Sequence, residues 1–167
     1  ITHNGTGLLT YHNRNWFDDE DAKRFVYKEG PGTLLFGISG WKFGGGLVIR
    51  NGRVKTILNS AFGTGTLTMT GGGLSSIGNE QRWFTNSFFF ANSLTFCDST
   101  DTGTLVFGPQ AVGTLMSNTV MNTQGNGLIL QGPIGDNGMN RTLTKIGSGN
   151  LALASANSYG GGTILGQ

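Results

Sequence analysis

Gly63-Thr64-Gly65-Thr66-Leu67-Thr68-Met69 places two glycines one residue apart and follows them with a strict alternation of hydroxyl and apolar side chains. In an extended chain successive side chains point to opposite faces, so Leu67 and Met69 share one face and Thr66, Thr68 and Thr70 the other. One face belongs in a core and one in solvent. The unit recurs as GTGLLTY from Gly5, GPGTLLF from Gly30, GNGLILQ from Gly125 and GSGNLAL from Gly147. DTGTLVF from Asp101 keeps the second glycine only. The second glycines are Gly7, Gly32, Gly65, Gly103, Gly127 and Gly149. They fall roughly 22 to 38 residues apart, close to the range of stacked repeats.

A ribbon this short cannot bury its apolar face alone. Stacking it on copies above and below builds a continuous core and pairs each backbone group with the next rung. The sequence therefore predicts an all-β parallel β-helix (solenoid) of about 6–7 rungs, with one glycine unit per rung. Glycine supplies positive φ at the corners, and Asn51, Asn59, Asn126 and Asn157 tolerate the same conformation. No segment carries a sustained 3.6-residue period. The competing architecture is an antiparallel sandwich, for which Asn51-Gly52, between GLVIR and RVKTIL, would be a hairpin turn.

Composition agrees with a β-rich chain. Among 167 residues, 12% are charged, about half the usual ~25%. Glycine occurs 30 times, and 37% of residues are hydrophobic, including 11 Phe, which separates the chain from disordered sequences. A net charge of +2 is too small for multi-phosphate neutralisation, so nucleic acid is not an expected partner. No apolar run is long enough to make a transmembrane segment, and the single Cys97 forms neither an internal disulfide nor a thiolate metal cage. Charge crowds between Arg14 and Glu29. That block predicts a charged segment over 1–29, acting as a cap or lateral insertion, ahead of a β-helix over 30–167. The start at Ile1 and the glycine-rich finish read as the ends of a processed fragment of a longer chain.

Residues 143–164 carry a more specific pattern: Leu143, Lys145, Gly147, Gly149, Leu151 and Leu153, then Asn157 and Tyr159, then Gly161 and Thr163. This resembles the autotransporter-associated β-strand repeat, departing from it at Ser155. A degenerate second copy begins at Gly30, with Phe43 in the aromatic position and Gly44 to Gly46 after it. The resemblance implies a right-handed parallel β-helix in a large secreted or cell-surface bacterial protein. It implies no particular chemistry, since such repeats serve as stalks in many proteins.

A solenoid enzyme acting on polysaccharide needs clustered carboxylates. Asp98 and Asp101, with Glu80 and Arg82 one rung away, form the one mid-chain group of that kind, and loop charge is the plainer account of it. Asp18, Asp19, Glu20 and Asp21 lack the spacing of a calcium loop. His3 and His12 have no third His or Cys beside them to complete a zinc set. Cys97, next to Phe96, reads as a small buried residue. Trp83, Phe84 and Phe89 are the candidate ligand-binding residues, since flat aromatic faces stack on sugar rings, against the plainer account of Phe residues stacked rung upon rung inside. No catalytic residue, metal ligand or cofactor is expected. The expected function is a non-enzymatic structural module: a stalk, matrix or self-assembling fibre element whose partners are further rungs of the same or identical chains, joined by end-to-end β stacking. The alternatives are an adhesin or carbohydrate-binding β-helix and, third, a polysaccharide lyase or hydrolase.

Overall fold

The computed structural model describes residues 2–11, 23–37 and 43–166. It is a parallel β-solenoid of about six rungs, with strands on three sides of the coil. The first side is built from β1 (Thr2–His3), β3 (Phe25–Lys28), β5 (Gly46–Ile49), β7 (Thr66–Met69) and β14 (Ile134–Gly135), together with the opening residues of two long strands, β10 (Phe88–Phe96) and β12 (Gly113–Thr123). The second side holds β2 (Leu8–Tyr11), β4 (Thr33–Phe36), β6 (Arg53–Thr56), β8 (Gly73–Ser76), the closing residues of β10 and β12, β15 (Leu143–Ile146) and β17 (Thr163–Leu165). Because β10 and β12 run through the corner, these two sides form one 13-stranded sheet. A separate four-stranded sheet contains β9 (Arg82–Phe84), β11 (Leu105–Phe107), β13 (Leu128–Leu130) and β16 (Leu151–Leu153).

Among the described residues every strand pair is parallel. The antiparallel sandwich is therefore corrected. β5 and β6, which flank Asn51-Gly52, do not pair with each other: β5 lies between β3 and β7, and β6 between β4 and β8. Gly52, at φ 69°, turns a corner of the coil. Strands also occur within 1–29: β1 pairs with β3, and β2 with β4. The acidic stretch Asp18–Asp21 lies outside the described residues.

The expectation that the glycine units form a single stack, each copy on the next, is also corrected. The Gly5 and Gly30 units lead into β2 and β4 on the second side, and the Gly63 unit leads into β7 on the first. The Asp101, Gly125 and Gly147 units lead into β11, β13 and β16 of the four-stranded sheet. One local solution thus serves three corners, because each poses the same steric problem. At the corner before the second side the backbones nearly touch. A Cβ on Gly32 would stand 2.5 Å from the Gly5 carbonyl oxygen, and one on Gly72 would stand 2.6 Å from that of Gly52. In the later rungs Asn92 takes over this corner at φ 61°, its side-chain amide donating to the Thr70 carbonyl one rung below at 3.0 Å.

Lysine completes two of these corners. The Lys145 ammonium donates to the carbonyl of Gly147, two residues on, at 2.6 Å. Lys28 does the same with Gly30 and also reaches the Asn51 carbonyl at 3.3 Å. Both begin the spacing Lys-x-Gly-x-Gly-x-Leu, at 28–34 and at 145–151. The degenerate copy that begins at Gly30 therefore extends back to Lys28, and it is set on a different corner from the pattern at 143–164.

Inside, columns of apolar residues stack by register, for example Val26 in step with Leu47, Leu67 and Phe88. Aromatic rings fill the middle: Phe36 against Phe62, Phe62 against Phe84 at 4.7 Å, Phe84 against Phe107, and Phe107 against Phe88. The Phe88 ring leans into the space above Gly113, its partner on β12, where any Cβ would collide with it. Gly113→Val therefore overpacks the core and is expected to lower stability by about 1–3 kcal/mol, read as a reduced urea midpoint at unchanged m-value. An unaltered midpoint would contradict this packing.

Candidate functional site

The outer face of β6 alternates with its core face, turning Arg53 and Lys55 outward and Val54 inward. Ser75 of β8 stands beside Lys55 in register. The loop from Cys97 to Thr104 folds back over these strands and brings Asp98 and Asp101 onto the two cations. Lys55 pairs with the Asp101 carboxylate and lies 3.5 Å from Asp98, and Arg53 lies 3.4 Å from Asp98. The Arg53 guanidinium also donates to Ser75 Oγ at 2.7 Å and to the Cys97 carbonyl at 3.1 Å.

Asp98 Oδ1 accepts bonds from the backbone N–H and hydroxyl of Thr100 and from the N–H of Asp101. Burial alone would raise its pKa, but these donors and the nearby Lys55 outweigh burial and hold the carboxyl well below the usual carboxylate range. Asp101 Oδ1 accepts the Gly78 N–H at 3.1 Å. Both carboxylates are thus engaged in clasping the loop to the sheet. Glu80 and Arg82 do not join them, pairing with each other at 2.8 Å. Arg53 and Lys55 were not singled out in the sequence, although their alternation with Val54 and Thr56 marks them as outward.

A second clasp stands at the C-terminal end. Buried Asp136 accepts backbone N–H bonds from Gly138, Arg141 and Gly160, which hold its carboxyl below the usual range. It ties the turn after β14 to the next rung. Cys97 is fully buried, near the carbonyls of Gly103 and Gly127, and burial, reinforced by Asp98, pushes its thiol up to about 11.

The three aromatic candidates do not come together. Phe84 is fully buried in the ring column described above, which removes it from any surface platform. Trp83 is 42% exposed on the four-stranded sheet, while Phe89 is 40% exposed on the 13-stranded sheet. His12 and the His3 side chain lie outside the described residues, and among the described residues no three His, Cys, Asp or Glu side chains group as metal ligands. Comparison with protein-family models, curated proteins and solved structures returned no match to the chain.

The clasps set a pH dependence. A carboxylate with a depressed folded-state pKa contributes stability above its unfolded pKa of ~3.9, and that contribution fades as pH falls toward the folded value. The unfolding midpoint is expected to stay level from about pH 7 to pH 5 and to fall below about pH 4. Asp98→Asn is expected to cost about 1–3 kcal/mol near neutral pH and to flatten part of the acid limb. Equal acid sensitivity in the variant and the parent would remove Asp98 from this role.

Proposed function

We propose that the chain is a non-enzymatic structural segment of a secreted or cell-surface bacterial protein, a stalk, matrix or fibre element of the kind in which autotransporter-associated repeats occur. The observation that carries this is the parallel stacking of successive rungs, which leaves at the last described rung a strand edge that a further rung of the same or an identical chain can continue. Among the described residues β17 pairs with β15 alone, and β16 with β13 alone. Ile164 is 51% and Leu165 81% exposed. Leu165 lies in register with Lys145 and Met121, the latter a core residue, so its column is that of the interior.

Such an edge offers unpaired backbone groups and apolar area to another rung. All described strands are parallel, so one end of the coil is complementary in direction to the other, and a further rung of this or an identical chain can add without reversal. A role without catalysis is further supported by the engagement of Asp98 and Asp101 with cations and backbone donors.

Backbone bonds between Gly166 and Lys145, and between Leu143 and Gly162, put the N–H of Leu165 on the side away from β15. Leu165→Pro would remove a donor from the open edge while sparing the bonds to β15. Electron microscopy and sedimentation over a range of concentrations are expected to show elongated head-to-tail assemblies of the parent chain and their loss in Leu165→Pro. Monomers alone at every concentration would contradict stacking through this edge.

A further inference from the structure

The outward face of the second side carries two shallow depressions, of about 390 and 440 Å³, that share Thr33. The first is floored by Thr33, Arg53 and Thr95, which occupy one register column across β4, β6 and β10 with Gly73 between the last two, and it is flanked by Ser93. Three strand spacings separate Thr33 from Thr95, about 14 Å. Among the described residues the hydroxyls of Thr33, Ser93 and Thr95 have no side-chain hydrogen-bond partner. The second depression is more apolar, formed by Leu8, Leu35 and Ile77, with the Lys55–Asp101 ion pair at its wall.

We propose that these depressions form one groove that binds a short, neutral, linear oligosaccharide along the solenoid axis. Chemistry narrows the ligand. A peptide strand cannot add here, because β4, β6 and β8 are each paired on both sides, so no backbone donors or acceptors face the groove. A polyanion gains little, because Asp98 and Asp101 already neutralise Arg53 and Lys55. What remains on offer is a row of hydroxyls and a guanidinium edge beside an aliphatic floor. A sugar chain presents the complement, with hydroxyl rims around apolar C–H faces. Leu8 stands on the edge strand β2, but Thr33, Arg53, Ser93 and Thr95 lie on β4, β6 and β10, each paired on both sides, so substitutions there test the groove without touching the edges invoked for stacking.

The test is amide chemical-shift titration of the isotope-labelled chain with cellohexaose, xylohexaose and mannohexaose in turn. At least one is expected to give saturable shifts at Thr33, Arg53, Ser93 and Thr95. Thr33→Val and Thr95→Val, which keep shape and lose a hydroxyl, are each expected to weaken binding about 3- to 10-fold. Ser93→Tyr, at an exposed position, is expected to fill the groove and abolish binding with the unfolding midpoint retained. The proposal is overturned if no hexasaccharide gives saturable shifts at millimolar concentration. Shifts centred on Trp83 or Phe89 instead would also overturn it, as would binding indifferent to all three substitutions.

Discussion

Backbone crowding at the corners is the constraint on which the rest of the molecule depends. Parallel strands hold successive rungs about 4.8 Å apart, and where the chain turns between sides the corner of one rung sits directly on the carbonyls of the rung beneath. At Gly32 and Gly72 a β-carbon would fall inside the contact distance of those oxygens. Glycine relieves the clash and permits the turn. Where it is absent, the structure uses Asn92 in a left-handed conformation with a side-chain bond to Thr70. Lys28 and Lys145 act on the same problem from another direction, since turning leaves carbonyls converging and an ammonium satisfies them.

Regular corners free the interior to be continuous. Phe36, Phe62, Phe84, Phe107 and Phe88 form one connected set of rings, and Gly113 is a core glycine because Phe88 occupies its side-chain volume. The few charges that meet the sheet are spent on loops. Asp98 and Asp101 clasp the 97–104 loop to Arg53 and Lys55, and Asp136 clasps the turn after β14 to the rung above. A chain with so little charge holds its loops with buried and half-buried carboxylates.

Much of this architecture is legible in the sequence because its signals are local. Alternation in TGTLTMT and its copies marks strands, and paired glycines mark corners. What local pattern does not carry is phase. Nothing within GPGTLLF or GNGLILQ distinguishes the corner before β4 from that before β13, since both need the same close approach, and only the pairing of whole rungs separates them. Phe84 illustrates the same limit. In Trp83-Phe84 one ring faces outward and one inward, and the inward choice follows from register with Phe107. Asp98 and Asp101 stand out as loop carboxylates, whereas their partners on β6 lie more than 40 residues earlier. The groove beside them belongs wholly to residues from different rungs, so no single stretch of sequence displays it.

The central claim is that these rungs stack in register from one end of the described chain to the other. Thr33, Arg53, Gly73, Thr95, Asn122 and Ile146 form one column across consecutive strands. Electron–electron distance measurement between spin labels at Thr33→Cys and Ile146→Cys tests it directly, with buried Cys97 protected from labelling. Five strand spacings predict a single distribution centred at about 24 Å between attachment points. A broad distribution, or one with no population at that separation, would contradict an in-register parallel stack.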